Sequence, residues 1–357
     1  MEYHFTYRQK DKGVQVILSY KDSKGRWKQK SRQGFKTKKF AQAAGDKMLD
    51  EIKESALNVV DESMKDVTLR EVFELFLLEN KAVLEYNTRA VYSSALLAFK
   101  DIADMPVSII QHQDIIKCLS KMPFAVSTKK VYKGKLNRIL KYAIYPCHII
   151  YTNPLEGIQT EKDKRQKKVR VLEYSDFKNL LSFSKEYNYV AYIKIAIAGY
   201  AGLRYGEILG LTWRTVDLKN GRISVETQLS AIGKKKYGLR PTKSMNGYRV
   251  IPIPPDLITI LKAYHQSVPE RLDRHLFNDK TNSTFTVNYV IRKSGNKNMS
   301  IHSLRHTYAT RLLANGVDVK TVAALLGDRV NTVLDTYVHY SDEMRDKAKQ
   351  DIDRIFA

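Results

Sequence analysis

Six positions, well separated along the chain, carry side chains that could act on one phosphodiester. Arg204 lies in Ala201-Gly202-Leu203-Arg204-Tyr205-Gly206-Glu207, and Lys243 lies in PTKSMNGYRVIPI. His302, Arg305, Asp328 and Tyr337 all fall in the run 299–340, MSIHSLRHTYATRLLANGVDVKTVAALLGDRVNTVLDTYVHY. A phosphodiester under attack gains negative charge on its non-bridging oxygens as it becomes five-coordinate. Two guanidiniums hold such oxygens bidentately and stay charged at any working pH, a part that Arg204 and Arg305 could take. A tyrosine hydroxyl, with a pKa of about 10, is a poor nucleophile without a cationic surround or a base. His302 titrates near neutrality and can either accept the tyrosine proton or hold a phosphate oxygen.

In order and spacing these residues resemble the tyrosine recombinase family, in particular the integrases of phages and conjugative elements. The family pattern runs AGLR-x-GE, a hairpin lysine, H-x-x-R, LGH, and a tyrosine nine residues after that histidine. The chain has AGLRYGE, TKS, HSLR and LLGD, with Tyr337 nine residues past Asp328. The motifs cover the last half of the chain; the first half matches in layout alone. The resemblance implies that Tyr337 is the nucleophile, forming a 3′-phosphotyrosyl bond, and that Lys243 protonates the leaving 5′-oxygen. Tyr308 and Tyr340 are set aside on spacing, and Lys234, Lys235 and Lys236 are expected to contact the DNA backbone. Glu207, one turn after Arg204, either buttresses that arginine or is a plain surface carboxylate.

Asp328 is the departure, since the family has His or Trp there as a donor to a phosphate oxygen. An ionised aspartate has no donor and repels phosphate. Either it turns away and pairs with Arg329 or Arg305, or it is protonated and donates. A strongly cationic setting pushes a carboxyl pKa downward, so a structural carboxylate holding an arginine is expected.

No Walker-type loop is present, so ATP is not expected, and no clustered acidic pair suggests a two-metal nuclease. His302 and His306 are four apart but have no third ligand at matching spacing, so neither metal nor cofactor is expected. Lys and Arg number 61 against 38 Asp and Glu, a net charge of +23, which points to a polyanionic partner. No apolar run long enough for a transmembrane helix occurs, and the N-terminus lacks an apolar signal core, so a cytoplasmic protein is expected. Cys118 and Cys147 sit in no metal spacing and read as reduced, partly buried thiols.

The elements that must position these residues suggest a multidomain α+β chain. In residues 1–40, Lys and Arg outnumber Asp and Glu by twelve to three. Strands are expected over 3–8, 13–20 and 26–35, then a helix over 37–54 with Phe40, Ala43, Ala44, Met48 and Ile52 on one face. This 1–55 unit looks like an arm-type DNA-binding domain. After a linker over 56–66, a capping box at Thr68–Glu71 opens a helix with Leu69, Val72, Phe73, Phe76 and Leu77 inward. Further helices are expected near 88–99, 114–121 and 127–145, making 67–157 an all-helical domain, which the resemblance implies is the core-binding one. Lys129, Lys130, Lys133, Lys135, Arg138 and Lys141 lie on or near its last helix and suit a clamp on the duplex. His112 and His148 read as structural, and 161–170 reads as an exposed basic linker.

The region 171–357 is expected to be a mainly helical catalytic domain with a small antiparallel sheet. Its helices are placed at 174 onward, 189–200, 205–211 and 256–266, and Asn220-Gly221 marks a hairpin. Gly247 and 250–253 continue the sheet. Asn331-Thr332 is read as a turn ahead of Tyr337. The tail 343–356 has an apolar stripe that in the family docks on a neighbouring protomer; packing in cis is the alternative.

The expected function is an integrase of a mobile element, integrating and excising through Tyr337. Its expected partners are double-stranded DNA at core and arm sites, a homotetramer on that DNA, and a directionality factor. It would work at the nucleoid of a bacterial host. A type IB topoisomerase-like enzyme and an inactive architectural DNA-binding protein are the alternatives.

Overall fold

The computed structural model describes residues 2–11, 13–21, 26–57, 64–159, 170–242, 247–269, 275–278 and 283–337, without the side chains of 52–57 and 337. It divides into two compact units, Met1–Lys164 and Arg165–Ala357.

In the first unit, β1 (Tyr3–Lys10), β2 (Gly13–Lys21) and β3 (Trp27–Phe35) form an antiparallel sheet in that order. Strand β2 alternates: Val14, Val16 and Leu18 are buried with Ala41, Met48 and Leu49 of α1 (Lys38–Leu57). The face α1 presents is not the expected one, because Phe40 is 64% exposed and Ala43 is exposed too. Gly45 gives the reason: a Cβ there would lie 3.0 Å from the Phe5 ring and 3.1 Å from Val16. The helix closes on the sheet along its small residues, and that turns Phe40 outward.

The same unit continues with α2 (Leu69–Glu79), α3 (Tyr86–Ala98), the short α4 (Lys100–Ala103), α5 (His112–Lys121) and α6 (Val126–Ile144). The capping box is present, with Thr68 N–H donating to Glu71 Oε2 at 2.7 Å and Glu71 N–H donating to Thr68 Oγ1 at 3.3 Å. Leu69, Val72, Phe73 and Phe76 are buried with Leu136, Ile139 and Leu140 of α6 in one core. The basic residues of α6 are not one free stripe. Lys133 donates to the Ile158 carbonyl, and Lys135 lies 4.6 Å from the Tyr92 ring centroid. His112 Nδ1 is 3.2 Å from the Pro154 carbonyl. Cys118 is buried and Cys147 half-buried, and both are free thiols.

The second unit is organised around α8 (Tyr189–Ala201), which follows α7 (Tyr174–Tyr187). Every residue of α8 from Ala191 to Ala201 is buried. It is apolar nearly all round and so lies at the centre of its unit, packed against α7 and the later helices α10 (Pro255–Ser267), α11 (Phe285–Lys293) and α12 (Ile301–Ala314). Asn188 caps its start, its Oδ1 accepting from Ala191 N–H at 2.9 Å. Gly202 ends it in the left-handed conformation, φ +65°. Then come α9 (Tyr205–Leu209) and five strands: β4 (Val216–Asp217), β5 (Arg222–Val225), β6 (Thr227–Gly233), β7 (Lys236–Pro241) and β8 (Arg249–Pro252). They make two small antiparallel sheets, β4-β5-β8 and β6-β7. Helices α13 (Val319–Leu326) and α14 (Val330–Tyr337) close the described chain.

Two expectations change. The strands on either side of Lys243, expected as a hairpin-like segment, belong to different sheets: Pro241 ends β7 and Arg249 begins β8. The hairpin lies earlier, β6 to β7, turning at Lys234-Lys235 with Lys235 at φ +56°; it carries no Asn-Gly signal. Asn331 and Thr332 form no turn but sit in the first turn of α14, where short polar residues are tolerated. Lys243, residues 161–169 of the expected linker 161–170, and the tail 343–356 lie outside the described residues.

Candidate active site

Gly202 ends α8 and frees the chain to start α9 two residues later, with Arg204 at its N-cap. A Cβ on Gly202 would come within 2.4 Å of Tyr308, so α8 and α12 approach closely there. Arg204 N–H donates to Glu207 Oε2 at 2.9 Å, and its Nη1 donates to Oε1 at 2.7 Å. Glu207 is only 2% exposed, which rules out the surface-carboxylate reading. The first turn of a helix also favours its charge.

Glu207 has a second cationic partner that the sequence did not single out. Arg249 Nη2 donates to Oε2 at 2.8 Å and Nη1 to Oε1 at 3.2 Å. Its Nε donates to the Leu325 carbonyl at 2.7 Å, and its side chain is 6% exposed. A signal was available: in β8 the inward positions alternate, Ile251 is fully buried, and Arg249 shares its parity. An arginine at an inward strand position must meet a buried anion. Burial would raise the Glu207 pKa, but the hydrogen bonds and charge of Arg249, then Arg204, hold it below the usual carboxylate range.

Arg305 projects from α12 and is 3% exposed. Its Nη1 donates to the Gly202 carbonyl and its Nη2 to the Leu326 carbonyl, each at 2.8 Å. Asp328 joins the two arginines: Oδ2 accepts from Arg305 Nη2 at 2.6 Å, and Oδ1 accepts from Arg204 Nη2. Asp328 therefore pairs with Arg305 as expected but does not turn away from the site. Gly327, left-handed at φ +66°, and the bond from Asp328 N–H to the Ala323 carbonyl at 3.0 Å turn it back onto the guanidiniums.

His302 lies one turn before Arg305 on α12. Partial desolvation, then the charges of Arg305 and Arg204, lower its pKa against the opposing pull of Asp328. Its ring meets His306 edge-on at 4.8 Å. His306 is pushed down to about 4 by burial and by His302. Among the described residues no group of three or more His, Cys, Asp or Glu could hold a metal.

Arg204, His302, Arg305 and Asp328 thus share one site. Lys243 lies outside the described residues. Tyr337 is the last residue of α14, and its side chain is not described. Helix α14 is anchored through Val333, 1% exposed, in a small core with Tyr308, Leu313, Val322 and Leu326. The helices that carry Arg305 and lead to Asp328 therefore also hold the segment ending at Tyr337.

Residues 170–344 match the phage integrase family and residues 5–52 match an arm DNA-binding domain. A XerC-like tyrosine recombinase of Caldanaerobacter subterraneus is 26% identical over 363 residues, covering 90% of each chain. The prophage integrase IntR of Escherichia coli is 23% identical, covering 78% of each. In fold, the Tn1549 transposon integrase in complex with transposon right end DNA matches with a TM-score of 0.69 at 20% identity, over 82% of this chain and all of that one. A lambda integrase dimer bound to a core site matches with a TM-score of 0.57 at 16% identity, over 92% and 94%. No described helix is long and apolar enough to cross a membrane.

Proposed function

Since the chain belongs to the tyrosine recombinases, site-specific enzymes that cut and rejoin DNA, we propose that Arg204 and Arg305 clamp the scissile phosphate while Tyr337 attacks it. The observation that carries this is the seating of two guanidiniums on the two oxygens of one carboxylate, Asp328. Each arginine side chain directs three of its five N–H groups at the protein, which leaves donors for a phosphate.

In the proposed reaction the Tyr337 hydroxyl oxygen bonds to phosphorus and the P–O5′ bond breaks. His302, held neutral by its surroundings, takes the tyrosine proton or steadies a phosphate oxygen, and Lys243 gives a proton to the 5′-oxygen. The phosphodiester energy stays in the 3′-phosphotyrosyl bond, and a 5′-hydroxyl from the partner duplex reverses the step. Arg249 touches no substrate in this scheme; it holds Glu207, which holds Arg204.

The reading extends to a mobile-element integrase that works as a homotetramer on double-stranded DNA, in the cytoplasm of a bacterial host at its nucleoid. A directionality factor would select integration or excision. Residues 1–55 would read arm sites, 67–157 would clamp the core site and 171–357 would cut it. On the sheet face opposite α1, Thr6, Arg8, Gln15, Gln29 and Ser31 offer polar groups to a groove. The test begins with the recombined junctions in the genome that carries the gene, which define the core site. A nicked suicide duplex of that site should trap an SDS-resistant adduct with the wild type and none with Tyr337→Phe, while both bind the duplex equally. An adduct with Tyr337→Phe would overturn the assignment.

A further inference from the structure

The phosphate-binding place between Arg204 and Arg305 is already filled by the protein itself. Asp328 sets one oxygen on each guanidinium, as two non-bridging oxygens of a phosphodiester would. Three arginines and two carboxylates meet here, Arg204, Arg249 and Arg305 against Glu207 and Asp328. A phosphate entering beside a seated Asp328 would bring a third anion against three cations and would face the carboxylate directly.

A second place for the carboxylate lies next to the first. A cavity of about 550 Å³ is lined by Asp328 together with Arg249, Lys320, Arg329 and Tyr248. Asp328 stands in the connection between α13 and α14, its backbone fixed by the Ala323 carbonyl but its side chain 23% exposed. The cations Lys320 and Arg329 line that cavity beside Asp328.

We propose that Asp328 is an internal stand-in for the DNA phosphate: it keeps the arginine pair assembled in the free protein and yields to a phosphoryl group by moving into the neighbouring cavity. This rests on the arginine-clamp reading above. Binding is then an exchange of one oxyanion for another, and apparent affinity is the intrinsic affinity multiplied by the fraction of protein in which Asp328 has vacated the pair. The device explains how a carboxylate is compatible with a site that must bind an anion.

The test uses the full chain with inorganic phosphate, followed by ³¹P NMR. The signal assigned to the site is the part that Arg204→Gln removes. Asp328→Asn keeps the shape, loses the charge and should bind phosphate at least about tenfold more tightly at the site, if the carboxylate occupies the pair at least about nine-tenths of the time. Lys320→Met combined with Arg329→Met should weaken phosphate binding in the wild type but much less in the Asp328→Asn background, because the cations act by receiving Asp328. That cycle separates exchange from simple loss of charge. Equal or weaker binding by Asp328→Asn, with Arg204→Gln still abolishing it, would overturn the exchange and leave the clamp standing. The same holds if the two lysine and arginine replacements weaken binding equally in both backgrounds. If Arg204→Gln removes no phosphate signal, the clamp itself fails and the exchange with it.

Discussion

Glu207→Gln is the sharpest perturbation of the arrangement, since it keeps the size of the side chain and removes its charge. Four hydrogen bonds from two arginines converge on a carboxylate that is 2% exposed. A glutamine offers one oxygen and turns an NH₂ toward N–H donors on the other side, leaving Arg249, itself 6% exposed, without its counter-charge. Breaking a buried ion pair from one side costs about 3–5 kcal/mol. For a unit of this size that corresponds to a fall in Tm of roughly 6–20 °C. Arg249→Met should cost a similar amount by stranding Glu207. The double variant Glu207→Gln/Arg249→Met should cost clearly less than the two singles added, because neither charge is then left unpaired. The measurement is urea and thermal unfolding of the four proteins. A loss below about 1 kcal/mol for Glu207→Gln, or strict additivity in the double variant, would refute the claim that this pair is buried and coupled. The sign with pH is also fixed. The folded Glu207 pKa lies below its ordinary 4.5, so the wild-type advantage is complete above that value and is lost as pH falls through the folded value.

Three further outcomes follow. Arg204→Lys keeps the charge but loses the fork, and single-turnover cleavage of the suicide duplex should slow by about 100- to 1,000-fold with binding intact. His306, with its pKa at about 4 against an ordinary 6.5, takes up a proton on unfolding in that window, so stability should fall as pH drops through it. Thermal melts of His306→Asn should show a flatter dependence over the same range. Removing residues 1–55 should abolish gel-shift binding to an arm duplex and leave weak, salt-sensitive binding to a core duplex; equal loss on both would refute separate readers.

Much of the fold was legible because the local signals were strong. Alternation in β2, the Thr68–Glu71 box and the apolar run of α8 each depend on near neighbours in sequence, and each formed as expected. Helix α11 and the β6–β7 hairpin were missed because their signals are tertiary. Helix α11 buries only Val287, Val290 and Ile291, and the hairpin turns on two lysines. Phe40 misled because burial on the sheet was decided by how closely α1 could approach, not by size. In the site, motifs named Arg204, His302 and Arg305, while Arg249 carries no motif signal and is visible only by strand parity. Asp328 was read as holding one arginine; that it spans two depends on a contact between residues 124 apart in sequence.

The arginines are held at the carbonyl ends of two helices, and this is what makes three cations, two of them buried, tolerable side by side. Arg305 bonds the carbonyl of Gly202, just past α8, and that of Leu326, the last residue of α13. Arg204 reaches the Gly327 carbonyl at 3.3 Å and Arg249 the Leu325 carbonyl at 2.7 Å. A helix C-terminus presents unsatisfied carbonyls and the negative end of its dipole. Both ends are closed by left-handed glycines, which let the chain turn away and leave those carbonyls facing the guanidiniums. Gly202 in AGLR and Gly327 in LLGD therefore belong to the site as much as the charged residues do. Any side chain at position 202 would strike Tyr308 and push the Arg305 acceptor out of place. Mutual repulsion of the guanidiniums is thus offset by fixed backbone dipoles as well as by Glu207 and Asp328. The carboxylate at 328 can leave for a phosphate without the arginine pair losing its remaining supports.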